Sequence, residues 1–392
     1  MSNIKNTPSN KSFLNDAGNR SLIFQIILLA VVVFVGYYLF SNLQANLDNR
    51  GISTGFSFLN EPAGFPILIH LVSYTEASTY GRAFLVALIN TFVISLLGII
   101  LATIIGVVMG LARLSKNWLV ARLATVYIET LRNIPLLLQM FFWYFAVLAA
   151  LPVPRNSYEF ADFLLNKRGI YSPNPIAQDG FGLVIIGFIV SLALAIGVIV
   201  WAKKRQTRTG LWFPAYWSAL GIIIAVTFLF FAAAGFPLEF DLPQKSRFNV
   251  TGGMVLPPEF VAVLVALSTY TGAFIAEIVR AGILSVNWGQ TEAARSLGLR
   301  DSMTQRLIVL PQALRVIIPP LTSQYLNLAK NSSLGAAIAY PELVAVIMGT
   351  TLNQTGQAIE TIGLCMLVYG SLSLSISLFM NWYNKKMSLI ER

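Results

Sequence analysis

Lys330 stands inside an apolar run, with Gln324, Asn327 and Asn331 on either side of it. The three amides fall at i, i+3 and i+7, one face of a helix. Hydrocarbon cannot solvate such groups, so they must face a cavity or a partner. Two readings of Lys330 are open: it holds a substrate carboxylate, or it neutralises Glu277 of an earlier apolar run. Glu277 lies one turn deeper in its run than Arg280 and is itself a candidate for a transport pathway. Gln139 is a further candidate, one turn beyond Pro135. Pro135 has no N–H, so it frees a backbone carbonyl that a neighbour must satisfy. Glu129 with Arg132, and Glu277 with Arg280, are each three residues apart and can pair along one helix face. Glu129, Arg132 and Arg280 lie near span ends, where charges reach the interface, and read as structural pairs.

Enzyme chemistry has little to work with. The chain has one histidine, His70, and one cysteine, Cys365. That pair does not make a metal site of the usual kind. No Ser/His/Asp or Cys/His constellation is present, and no G-x-x-x-x-G-K-[S/T] loop, so the chain carries no P-loop ATPase of its own. We expect no catalytic residue, no metal and no cofactor bound by this chain.

The elements that must position these residues are membrane helices. Of 392 residues, 56% are hydrophobic and 11% charged, with mean hydropathy +0.69. That composition belongs to an all-α integral membrane protein. The net charge is +10, but the cations lie between apolar runs and not in a patch, which argues against nucleic acid. Apolar runs of roughly 20 residues each span a bilayer. They fall at about 21–40, 84–111, 128–151, 181–201, 211–234, 258–283, after Pro311 to about 339, and 359–383, eight in all. Alternating them from a cytoplasmic N-terminus puts most of the 27 Lys and Arg inside, including Lys203, Lys204, Arg205 and Arg208, the densest basic cluster. This bias predicts cytoplasmic N- and C-termini.

Residues 284–311, between the sixth and seventh runs, form a charged stretch with helix punctuation. Thr291 can cap a short helix over 292–297, and Gly298 offers a left-handed stop. Ser302 and Gln305 read as a capping box for a second helix, which Pro311 then interrupts. A short helix, a tight turn and a helix entering the membrane can dock something in the cytoplasm.

Glu292-Ala293-Ala294, Gly298 and Val309-Leu310-Pro311 resemble the loop shared by the membrane subunits of ABC importers. The wider sequence is similar to permease subunits of polar and general L-amino acid ABC importers, the histidine and glutamine permease family. Asn90-Thr91, the stretch 129–139 and a block from Thr269 to Glu342 carry that similarity. The resemblance implies a type I importer core in the bacterial inner membrane, with Gly289, Gln290, Glu292, Ala293, Ala294, Leu297, Gly298, Leu299 and Pro311 coupling to an ATPase. It implies several partners: ATP-binding cassette subunits that carry ATP and Mg, a periplasmic amino-acid-binding protein, an L-amino acid substrate, and a second permease as a heterodimer. The chain exceeds the family's core of about five spans. Against that core, 1–20 reads as a cytoplasmic tail and 21–80 as an extra span with a periplasmic loop. Residues 81–151 and 258–383 read as the two parts of the core, 152–257 as an insertion with two extra spans, and 384–392 as a cytoplasmic tail. A gradient-driven secondary transporter would be expected to show inverted repeats and several membrane acids, of which only Glu277 fits. That reading also leaves the docking stretch unexplained, and for a non-transporting membrane scaffold or enzyme no Ser/His/Asp, Cys/His or metal constellation supports an enzyme.

Overall fold

A computed structural model describes residues 17–49, 51, 54–246 and 249–387. The tail expected at 1–20 lies mostly outside those residues, as do Arg247 and residues 388–392 of the C-terminal tail. Long helices dominate: α1 (Ala17–Asn49), α2 (Tyr80–Arg113), α3 (Trp118–Asn133) and α4 (Leu136–Leu148) in the first part of the chain. Then come α5 (Phe181–Thr209), α6 (Ala215–Ala233), α7 (Pro258–Leu284), α8 (Trp288–Ser296) and α9 (Asp301–Thr304). The last are α10 (Leu310–Asn331), α11 (Leu352–Thr355) and α12 (Ala358–Met387).

Six of these, α1, α2, α5, α6, α7 and α12, are long and apolar enough to cross a membrane. The pair α3 and α4 makes a seventh if counted as one span, bent by 108° at its break. The bend falls at Ile134 and Pro135, where the missing N–H ends the α3 ladder. The apolar runs predict eight spans. The remaining one is α10, 22 residues long with Pro319 and Pro320 inside it and polar residues along one side. Its composition, not its length, keeps it from qualifying.

The described residues fall into two compact units. One contains the chain up to Asn90 together with Pro341–Leu372. Its core gathers Phe58, Ile67, Tyr74, Val86, Leu343, Ile347 and Cys365. Cys365 is buried among these apolar neighbours, the packing role its type predicts. Asn90 is buried and donates to Ile69 O (2.8 Å) and Pro341 O (2.9 Å). Glu342 is fully buried, and its carboxylate accepts from Val344 N (2.8 Å), Ala345 N (2.7 Å) and Tyr369 Oη (2.9 Å). Its oxygens thereby satisfy the first N–H groups of the π-helical turn Val344–Thr351, which have no partner within the helix.

The second unit comprises Thr91–Tyr340 with the chain from Ser373 onward. Within it, α2 lies against α7. A Cβ at Gly106 would overlap Ile275, and one at Gly110 would meet Ala276 O and Val279. Small residues permit that approach, as expected for membrane helix packing. Tyr127 of α3 donates to Thr269 O of α7 (2.7 Å).

The segments on either side of α5 and α6, which read as loops in the sequence, fold into short strands. They are β1 (Tyr158–Phe160), β2 (Phe163–Asn166), β3 (Gly169–Ser172), β4 (Asn174–Ala177), β5 (Leu238–Asp241), β6 (Gln244–Lys245), β7 (Val250–Thr251) and β8 (Met254–Leu256). One sheet has the order β1-β2-β3-β8; β4 pairs with β5, and β6 with β7. β3 and β8 pair antiparallel, Ile170 opposite Leu256. This pair closes the segment that carries α5 and α6, so its entry and exit are neighbours. Strands of two to four residues leave too little alternation to be read from sequence.

Candidate functional site

The charged stretch is a helix–turn–helix, with punctuation that differs from expectation at its start. Asn287, not Thr291, caps α8: its Oδ1 accepts from Gly289 N (2.8 Å). Thr291 instead lies buried in the helix together with Ala294. These two residues, three apart, give α8 an inner face. Its outer face holds Gln290, Glu292, Ala293 and Leu297, all exposed. Leu297 is 81% exposed. Trp288 Nε1 donates to Glu292 (3.0 Å), and the Arg295 guanidinium lies over the Trp288 ring (5.6 Å) while pairing with Asp301 (3.1 Å).

The turn at Gly298 is as the sequence suggests. Its φ is +75°. Gly298 N donates to Arg295 O (2.9 Å) and Leu299 N to Ala294 O (3.1 Å). These two bonds are the Schellman arrangement that ends a helix on a left-handed glycine. The next helix does not start on a Ser302 capping box: Arg300 is its N-cap, with no side-chain bond. Nor does Pro311 interrupt it. Residues 305–309 are wound as a π-helix between α9 and α10, with Pro311 in the first turn of α10. The wider π turn accommodates the proline.

Elsewhere in this unit, charges from three helices converge. Arg113, the last residue of α2, donates to Glu277 of α7 (2.6 Å) and Glu129 of α3 (3.0 Å). Arg280 also binds Glu277 (2.6 Å). The Glu277–Arg280 pair forms as the spacing suggests. The Glu129–Arg132 pair does not: Glu129 turns to Arg113, and Arg132 stacks on Phe274 at 5.1 Å. Glu277 is therefore occupied by two arginines. Spacing along the chain does not mark Arg113 as the hub, because its partners are 16 and 164 residues away.

Gln139 is 4% exposed. Its Nε2 donates to Leu131 O and Ile134 O, both at 2.9 Å. Leu131 O is the carbonyl that Pro135 orphans, four residues on. Gln139 thus stitches the α3–α4 bend, and its Oε1 is buried without a protein partner.

The α10 amides and Lys330 behave differently. Pro319, Pro320, Ser323, Asn327 and Lys330 recur at helical spacing and are all exposed, whereas Leu328 and Ala329 are buried. Gln324 and Asn331 border this face, half-buried. Lys330 makes no ion pair among the described residues. With Glu277 already paired, the reading of Lys330 as its counter-ion falls. In a helix that crosses a membrane, a lysine and an asparagine on the open side cannot rest against lipid tails at low cost.

Comparisons with known proteins agree with this architecture. Residues 204–389 match the model of the family described as "Binding-protein-dependent transport system inner membrane component". The chain is 51% identical to a putative amino-acid ABC transporter permease protein, YhdX, of Escherichia coli (strain K12), covering 95% of both chains. It is 49% identical to the general L-amino acid transport system permease protein AapQ of Rhizobium johnstonii, over 97% of this chain and 96% of that one. It is 42% identical to BztB of Rhodobacter capsulatus, over 96% of each. BztB is named as a glutamate/glutamine/aspartate/asparagine transport system permease protein. At such identity over nearly full length, the chain belongs to the amino-acid ABC transporter permeases, the inner-membrane components of binding-protein-dependent transport systems.

Proposed function

We propose that this permease subunit translocates L-amino acids across the bacterial inner membrane, driven by ATP hydrolysis on separate subunits. The observation that carries the reading is the α10 face. Asn327 and Lys330 are exposed there with no side-chain partner among the described residues, so a second permease and a polar pathway between the two would complete it. Lys330 then offers a charge-assisted bond to the carboxylate that every amino acid carries. Such a face also lets α10 serve as the eighth crossing despite its composition. The cytoplasmic termini follow from the distribution of Lys and Arg.

The exposed outer face of α8, ending in Leu297 and the Gly298 turn, is the surface for an ATP-binding cassette subunit, which holds ATP and Mg. A binding protein on the opposite side delivers the amino acid. ATP-driven closure of the cassettes moves α8 as a lever. The Arg113 hub ties α2 and α3 to α7, the helix from which α8 emerges, so the motion reaches all three. The names of AapQ and BztB favour a general or polar amino acid substrate.

Purification from native membranes in mild detergent tests the assembly. A second, smaller permease and an ATPase should accompany this chain. A homodimer with an ATPase would remove the heterodimer. Absence of any ATPase, with gradient-driven uptake by this chain alone in liposomes, would overturn the importer reading.

A further inference from the structure

α5 and α6 form a helical hairpin. Its helices pack on each other: a Cβ at Gly187 would overlap the Phe230 ring, and Ser191 Oγ lies 3.3 Å from Thr227 Oγ1. Its turn has an unusual charge balance. Lys203, Lys204, Arg205 and Arg208 fall within six residues, and no Asp or Glu occurs between Asp179 and Glu239. None of the four makes an ion pair among the described residues. Lys203, Lys204 and Arg208 are exposed, and Arg205 is half-buried because its guanidinium lies over the Trp201 ring at 5.5 Å.

Length places this end. α5 has 29 residues, about 43 Å at 1.5 Å per residue. The hydrocarbon core is about 30 Å thick. Phe181 to Trp201 fills that core, so the cations emerge beyond it at headgroup level. Aromatics mark the same depth. Trp201 stacks edge-on against Phe213 at 5.4 Å, and Trp212, Tyr216 and Trp217 are 73%, 71% and 76% exposed. Amphipathic rings of this kind belong at the membrane interface.

We propose that this turn binds the headgroups of anionic phospholipids. The phosphodiester supplies the negative charge that the chain omits. Lys203, Lys204 and Arg208 reach it, while Arg205, held by Trp201, presents its free edge. Basic residues directly following a membrane helix gain most at a negatively charged leaflet. The proposal rests on α5 and α6 crossing the bilayer and not on the choice of substrate, so it can fail without the transport reading failing.

The test uses the detergent-purified complex, titrated with fluorescent short-chain phosphatidylglycerol or phosphatidylcholine of matched acyl length. Wild type should prefer phosphatidylglycerol. The quadruple variant Lys203→Gln, Lys204→Gln, Arg205→Gln, Arg208→Gln should bind it on the order of 10-fold more weakly or worse, with phosphatidylcholine unchanged. Lys116→Gln with Arg122→Gln should leave the preference intact. If the quadruple variant does not assemble, Lys204→Gln alone serves and should weaken binding severalfold. Raised salt should erode the wild-type preference. Equal affinity of wild type for both lipids, or undiminished phosphatidylglycerol binding by the variant, would overturn the proposal. So would displacement of the lipid by inorganic tripolyphosphate at equal phosphate, which would assign the turn to a soluble polyanion.

Discussion

Two groups of charged and polar residues look alike in the sequence and differ in the structure. Around Arg113, the carboxylates of Glu129 and Glu277 both meet an arginine from another helix, and Glu277 also meets Arg280 of its own, so that cluster is satisfied within the chain. Along α10, Asn327 and Lys330 face outward with no such partners among the described residues. The first group holds helices together. The second is unfinished without something from outside. A charge in a membrane segment is thus a pointer to function only after its neighbours are known. Glu277, the deepest acid that the sequence singles out, belongs to the self-contained group.

The largest effect that would sharpen this contrast is at Lys330. Lys330→Met should abolish uptake, a loss of at least about 30-fold if one carboxylate contact worth about 2 kcal/mol disappears. The complex should still assemble and bind its ATPase. Normal uptake by that variant would break the comparison. Next is Gly298. A Cβ added there would have no atom within 4 Å, so Gly298→Val meets only backbone strain, about 1–2 kcal/mol or more for a β-branched residue at positive φ. It should uncouple ATP hydrolysis from uptake. Gly298→Asn, which tolerates that conformation, should retain most of the coupling.

The self-contained group should respond in stability more than in substrate affinity. Arg113→Met should cost about 1–2 kcal/mol, between the values for exposed and buried pairs, and lower the thermal midpoint of the complex while leaving KM unchanged. A raised KM with unaltered stability would move Arg113 into the pathway. Gln139→Leu should cost a similar or slightly smaller amount, about 1 kcal/mol for the carbonyls it leaves unpaired. A change in which amino acids are carried, without loss of stability, would show that Gln139 touches substrate.

Much of the scaffold was legible because membrane helices declare themselves in runs of apolar residues. Gly298 was legible for a local reason: a left-handed stop is set by one residue and its immediate neighbours. Asn287 escaped because two good capping types, Asn287 and Thr291, lie four residues apart, and burial of Thr291 decided between them. Pro135 and Gln139 were legible in part, since a proline announces a loose carbonyl but not which amide will take it. Arg113 and the Glu342 cap rest on tertiary neighbours that sequence spacing does not encode. The small strands around α5 and α6 are too short to show a period. The polar face of α10 was visible as a pattern, but that it is the open face required the packing of Leu328 and Ala329.

The most direct test of that open face is chemical. With Cys365→Ala as background, Asn327→Cys and Leu378→Cys place single thiols on α10 and on the exposed side of α12. A hydrophilic thiol reagent is then applied to the assembled transporter in its membrane. The α10 face predicts rapid modification at 327, slowed by substrate with its binding protein, and little modification at 378. Modification at 327 no faster than at 378 would contradict it.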